Sequence, residues 1–155
     1  MTTKDFTATL LVDQSPKEAF DAINNVRGWW TENLEGNTQK LNDEFTVRFG
    51  DVHVSTQKLV EVIPNKKVVW LVTDSKLNFT RNEQEWTNTK ISFDISKKDG
   101  LTEICFTHQG LLPDIECFDA CSNAWSEYIQ HSLLRLITTG IGQPTRKENT
   151  TKATK

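Results

Sequence analysis

The sequence contains no apolar run near the ~20 residues that a membrane-spanning helix needs. Its first residues, Met-Thr-Thr-Lys-Asp, lack the apolar stretch of a signal peptide, so a cytoplasmic location is expected. There are only three cysteines, an odd count. Cys117 and Cys121 stand one helical turn apart, a poor geometry for a structural disulfide, and all three are read as reduced thiols. CxxC and HExxH strings are absent, and Cys105 falls on a different predicted strand. Together these argue against a metal centre and against a cysteine nucleophile paired with histidine. No glycine-rich phosphate loop opens a helix; Gly140-Ile141-Gly142 follows one and reads as a stop. No cofactor is therefore expected. Positive charge is also scarce. The formal net charge is −3, and residues 141–155 alone carry +3 through Arg146, Lys147, Lys152 and Lys155 against Glu148. That leaves −6 on the rest, which disfavours nucleic acid as a partner.

What is present is the material of one soluble domain. A chain of 155 residues with 36% hydrophobic and 25% charged content is long enough for one core. The organising stretch is a predicted helix from Pro113 to about Thr139. Phe118, Cys121, Trp125, Tyr128, Ile129, Ser132, Leu133 and Leu136 fall on one stripe of it. Asp119, Asn123, Glu127 and Gln130 take the opposite face, with His131 towards it.

Upstream, Phe6, Ala8, Leu10 and Val12 alternate as a first, edge-like strand. Ser15-Pro16-Lys17-Glu18 is a capping box that opens a short helix to about Asn24. Trp29-Trp30 falls in or beside a second short helix. If it is helical, only one of the two can face inward and the other rims a pocket mouth. The period then changes to two. Phe45, Val47 and Phe49 alternate, and Gly50-Asp51 reads as a tight reversal into a strand from about Val52 to Ile63 bearing Val54, Leu59, Val60 and Val62. Lys67–Thr73 is the next strand, and Asp74–Glu83 reads as a polar loop. A strand over Trp86–Ser96 and another over Leu101–His108 flank a hairpin turn at Lys97-Lys98-Asp99-Gly100, with Ile104, Phe106 and His108 sharing one face. Strands flanked by helices predict an α+β fold rather than alternating βαβ units. Residues 1–140 are expected to form the domain, and 141–155 a flexible basic tail.

Several strings in this order resemble the START-like superfamily, which includes the birch-pollen allergen (Bet v 1) fold, polyketide cyclases and the domain named for the activator of Hsp90 ATPase. They are Ser15-Pro16-Lys17-Glu18-Ala19-Phe20, Trp29-Trp30, Val68-Val69-Trp70, Glu85-Trp86-Thr87 with Ile91-Ser92-Phe93, and Trp125 with Ser132-Leu133 and Thr139-Gly140. The resemblance covers about residues 5–143 and is greatest to single-domain bacterial proteins of the Hsp90-activator-like group. It implies a helix-grip fold, with a curved antiparallel sheet of about six strands around a long C-terminal helix and two short helices after the first strand. It also implies a cavity between sheet and helix for an apolar ligand, and carries over no catalytic residue.

Five tryptophans are many for this length, and an indole suits a cleft wall because it is bulky and carries an N–H. The candidate ligand-binding residues are Trp29, Trp30, Phe49, Trp70, Trp86, Phe106, His108, Phe118, Cys121, Trp125 and Tyr128. The alternative for each is packing. The leading expectation is a non-catalytic module for a small apolar or amphipathic molecule, acting as a monomer or homodimer. A cyclase- or hydrolase-type enzyme using His108 or Tyr128 is the second reading. A chaperone partner of the Hsp90 type is the third, and it rests on the resemblance alone.

Overall fold

The structure is a computed structural model that describes residues 5–49, 53–77, 84–111 and 118–145. Its elements are β1 (Phe6–Val12), α1 (Pro16–Asn24), a 3-10 turn (Val26–Gly28), β2 (Leu34–Gly36), β3 (Glu44–Phe49), β4 (His53–Ile63), β5 (Lys67–Leu77), β6 (Lys90–Lys98) and β7 (Leu101–Gln109). The C-terminal helix follows as α2 (Phe118–Glu127), a π-helical segment (Tyr128–Leu133) and α3 (Leu134–Thr139). The seven strands form one antiparallel sheet in the order β1-β7-β6-β5-β4-β3-β2. The α+β class and the sheet-on-helix arrangement are as expected. The strand count is one higher because β2, only three residues long, pairs with β3 on the edge.

Local chemistry explains the elements that the sequence announced. Ser15 Oγ accepts the Glu18 N–H at 3.1 Å while the Ser15 N–H donates to Glu18 Oε1 at 2.9 Å, so α1 opens with its two orphan donors satisfied. At the β6–β7 hairpin Lys98 pairs with Leu101. The two residues between, Asp99 and Gly100, both take positive φ, at 53° and 83°, as a two-residue turn matched to strand twist requires.

Four expectations are corrected. First, the reversal into β4 is longer than Gly50-Asp51. Phe49 pairs with His53, leaving three residues in the connection instead of two. One extra residue turns every side chain to the opposite face. His53, Ser55, Gln57 and Leu59 therefore point inward, while Val54 and Val60 are half-buried outside. Second, β5 does not stop at Thr73. The pairing shifts between Thr56 and Gln57, leaving Thr73 as an extra residue, and this bulge brings Ser75 and Leu77 onto the buried face. Residues 78–83 of the expected loop lie outside the described residues. Third, Trp86 sits in a turn ahead of β6, not on a strand. The turn is tied to β5 through Asn88 N–H donating to Val72 O at 2.7 Å and Val72 N–H donating to Thr89 O at 2.9 Å. Fourth, Trp29 and Trp30 are both inside, at 0% and 2% exposure. They follow the 3-10 turn in irregular backbone, so helical phase does not separate them.

The C-terminal helix begins, among the described residues, at Phe118; residues 112–117 lie outside them. Its buried row is Cys121, Trp125, Ile129, Leu133 and Ile137, a strict four-residue step. On a straight α-helix that step drifts about 40° each time. The π-helical segment puts more residues in a turn and holds the row in line. This is why Ile137, rather than Leu136, closes the buried face. Beyond Gly140, residues 141–145 lie against the Trp29–Thr31 segment. Thr145 N–H donates to Trp30 O at 3.0 Å, and Glu32 N–H donates to Thr145 O at 2.8 Å. Gly142 is required there, since a Cβ would stand 2.2 Å from the Gly28 carbonyl oxygen. The remainder of the expected tail, 146–155, lies outside the described residues.

Candidate functional site

The space between sheet and helix is largely filled by the aromatic set itself. Trp30 stacks on Trp29 (6.1 Å, 15°) and on Trp70 (5.8 Å, 10°). Trp86 stacks on Trp125 at 5.7 Å and 12°. Trp30 joins the two stacks by contacting Trp125 at 4.9 Å. Phe93 bridges Trp70 (5.0 Å) to Phe106 (5.2 Å), and Phe106 meets Trp125 at 4.7 Å. The hollow expected among Trp70, Phe106 and Trp125 is therefore occupied by side chains. Offset and parallel-shifted ring pairs of this kind add about 0.5–1.5 kcal/mol each beyond their buried area.

A smaller pocket of about 200 Å³ remains towards α2. Trp30, Phe49, Trp86, Trp125 and Tyr128 wall it, with His53 on the β4 side. Ala120, Cys121 and Ala124 supply the helix side. Ala120 and Ala124 are exposed, so their short side chains stand where the space meets the surface. Six of the residues named from the sequence thus come together here: Trp30, Phe49, Trp86, Cys121, Trp125 and Tyr128. Trp29, Trp70 and Phe106 are core, and Phe118 packs half-buried against it. Three lining residues were missed. Ala120 and Ala124 were legible as small residues flanking Cys121 on one helix shoulder. His53 was hidden by the misread hairpin. A larger groove of about 620 Å³, lined by Arg27, Glu32, Arg135 and the 140–144 backbone, contains no aromatic side chain.

His108 does not line the pocket. It is fully buried behind Trp86, and its two ring nitrogens are committed. Trp125 Nε1–H donates to His108 Nδ1 at 3.0 Å. The neutral ring therefore carries its proton on Nε2 and donates to Thr89 Oγ1 at 2.8 Å. Thr89 Oγ1 in turn donates to Trp86 O at 2.6 Å. Donor and acceptor roles are thus set along the whole chain from Trp125 to the Trp86 turn. Burial, and next the nearby His53, push the His108 pKa down to about 3. Both ring nitrogens are thus bonded inside the protein, and the ring is not part of the pocket wall.

His53 is different. Burial lowers its pKa to about 3 as well, so it is neutral. Gln57 Nε2–H donates to Ser55 Oγ at 2.6 Å, and Ser55 Oγ lies 2.8 Å from His53 Nε2. If the hydroxyl donates to Nε2, Ser55 Oγ both accepts and donates, although Gln57 Oε1 has no partner among the described residues; the reverse leaves a buried hydroxyl hydrogen without an acceptor. The proton of His53 accordingly sits on Nδ1. Trp86 is clasped edge-on between the two imidazoles, at 4.6 Å from His53 and 4.7 Å from His108. Its own Nε1–H is buried without a hydrogen-bond partner among the described residues. Tyr128 OH bonds to Thr145 Oγ1, and burial raises its pKa while that bond pulls it down. Among the described residues no group of three or more His, Cys, Asp or Glu could hold a metal ion, and no helix is long and apolar enough to cross a membrane. Cys105 is a free thiol.

Comparison with solved structures places the fold. The Aha1 dimer from Colwellia psychrerythraea matches with a TM-score of 0.71 and 23% identity, over 92% of this chain and 100% of that one. Mll3558 from Rhizobium loti matches at 0.68 and 13% identity, over 88% and 97%. DynU16, a putative protein of the dynemicin biosynthetic locus, matches at 0.62 and 13%, over 91% of this chain and 50% of that one. No protein-family model and no curated protein matches the chain. The fold is accordingly that of the START-like, Bet v 1-like proteins, with Aha1 among those that share it.

Proposed function

We propose that the protein is a binding module for one small apolar or amphipathic molecule, held in the pocket between α2, β3–β4 and the Trp86 turn. The observation that carries this is the pocket itself. In an interior otherwise filled by aromatic rings, a space of about 200 Å³ is kept open beside two exposed alanines. An engineered apolar cavity of about 150 Å³ takes up benzene, so this one suits a single ring with a short substituent, or a chain of similar bulk. A long-chain lipid exceeds it. In this reading the binding unit is residues 1–145, because 141–145 brace Tyr128 at the pocket wall. An enzymatic reading has less support: His108 is sealed, Tyr128 is bonded to Thr145, and burial holds His53 neutral with a pKa of about 3.

Thermal unfolding with a panel of one-ring aromatics and short-chain alcohols tests the proposal. A ligand at about ten times its Kd stabilises by about 1.4 kcal/mol, or about 3–6 °C for a domain of this size. Ala124→Trp fills the opening from an exposed position, and is expected to abolish the shift while leaving the fold intact. A panel without a shift in the wild type, and without bound adducts in native mass spectra, would overturn it.

A further inference from the structure

Trp86 and His53, both on the pocket wall, each carry a ring N–H. Trp86 Nε1–H is buried without a partner among the described residues, and donor counting on Ser55 leaves the proton of His53 on Nδ1. The two rings meet edge to face at 4.6 Å on the same wall. A buried donor without an acceptor is unfavourable in the empty protein and becomes favourable when a guest supplies the oxygen. Trp70 Nε1 is likewise unpartnered among the described residues, but Trp70 does not line the pocket. Among the described residues no lysine, arginine, aspartate or glutamate lines it either.

Resting on the binding reading above, we propose that the guest is an uncharged carbonyl compound, such as an aryl ketone, aldehyde or ester, whose oxygen accepts from Trp86 Nε1–H and His53 Nδ1–H. The apolar remainder of the molecule lies against Trp30, Trp125 and Phe49. A carboxylate is excluded by the same wall. It would be stripped of water with no cation among the described lining residues, since burial keeps His53 neutral with a pKa of about 3. A plain hydrocarbon fits the space but leaves Trp86 Nε1–H unpaired.

Three probes of equal heavy-atom count separate these cases: cumene, acetophenone and benzoate. Their affinities are read by titrating the tryptophan emission at neutral pH. Acetophenone is expected to bind about tenfold more tightly than either of the others, a difference of about 1.4 kcal/mol. Trp86→Phe is expected to abolish the preference for acetophenone over cumene, whatever the affinity of either for the reshaped pocket. Should that variant fail to fold, the wild-type Trp86 indole N–H resonance carries the test: it moves downfield with acetophenone and not with cumene. Equal binding of cumene and acetophenone, or tightest binding of benzoate, overturns the carbonyl assignment and leaves the pocket reading standing. If none of the three binds, both fall together.

Discussion

The two buried histidines make folding sensitive to mild acid, by an amount that can be worked out. In the folded protein both His53 and His108 have pKa values lowered from the ordinary 6.5 to about 3. An unfolded chain takes up a proton on each ring as the pH drops through 6.5; the folded protein does not until about pH 3. The folded value is the depressed one, so the stability is fully present above pH 6.5 and is lost progressively below it, down to about pH 3. One pKa unit is worth about 1.36 kcal/mol, so lowering the pH from 8 to 5 removes about 2 kcal/mol for each ring and about 4 kcal/mol for both. That is a large part of the 5–15 kcal/mol by which domains of this kind are stable. The range down to pH 5 is useful because ordinary carboxylates are still ionised there. Urea unfolding followed by tryptophan emission at pH 8, 7, 6 and 5 gives the measurement. Replacing His53 by glutamine should halve the loss to about 2 kcal/mol. Stability at pH 5 within about 1 kcal/mol of that at pH 8 would refute the assignment of both rings as neutral and buried.

Other outcomes follow from single contacts. Trp125→Phe removes the N–H that occupies His108 Nδ1, while burial, the leading cause of the low His108 pKa, remains, so the ring should stay neutral at pH 5 in an NMR titration of its ring protons. The substitution should also cost about 1–3 kcal/mol through the unpaired ring nitrogen, measured by urea unfolding. Ser15→Ala breaks the capping box at an exposed position and should cost about 1 kcal/mol, with no change in ligand binding. Gly142→Ala drives a methyl into the Gly28 carbonyl oxygen; the Thr145 amide, bonded to Trp30 O, should then exchange with solvent faster than amides of β6 and β7.

What could be read from the residues alone depended on how local the determining interaction is. The α1 start is set within four residues by Ser15 and Glu18, and the β6–β7 turn by Asp99-Gly100; both were legible. The face of β7 bearing Ile104, Phe106 and His108 was legible too, since alternation there is unbroken. β4 was not, because its inward residues His53, Ser55 and Gln57 are polar and its outward Val54 and Val60 are apolar. Only the register with β3 decides the matter, and a connection longer by one residue reverses it. β5 hid its last four residues behind a bulge that shifts the phase at Thr73. Trp30, Trp86 and Trp125 could be named for the site from their chemistry. The alanines that keep the pocket open could not be weighed without knowing where the rings end. The central filling by Phe93 and Trp30 is a matter of summed volume across five elements, which no stretch of chain records.

The stacked indoles also give the molecule an optical character. Chromophores stacked at 5.7–6.3 Å exchange excitation, so their absorption bands split, and where the transition dipoles are rotated relative to one another within the ring planes the split components carry opposite rotational strength. The folded chain should therefore show a paired positive and negative feature in its ultraviolet dichroism, beyond what helices and strands contribute. Its emission should be depolarised by migration from ring to ring. Any guest that wedges apart Trp30, Trp86 and Trp125 would alter both signals, making the interior its own reporter without an added label.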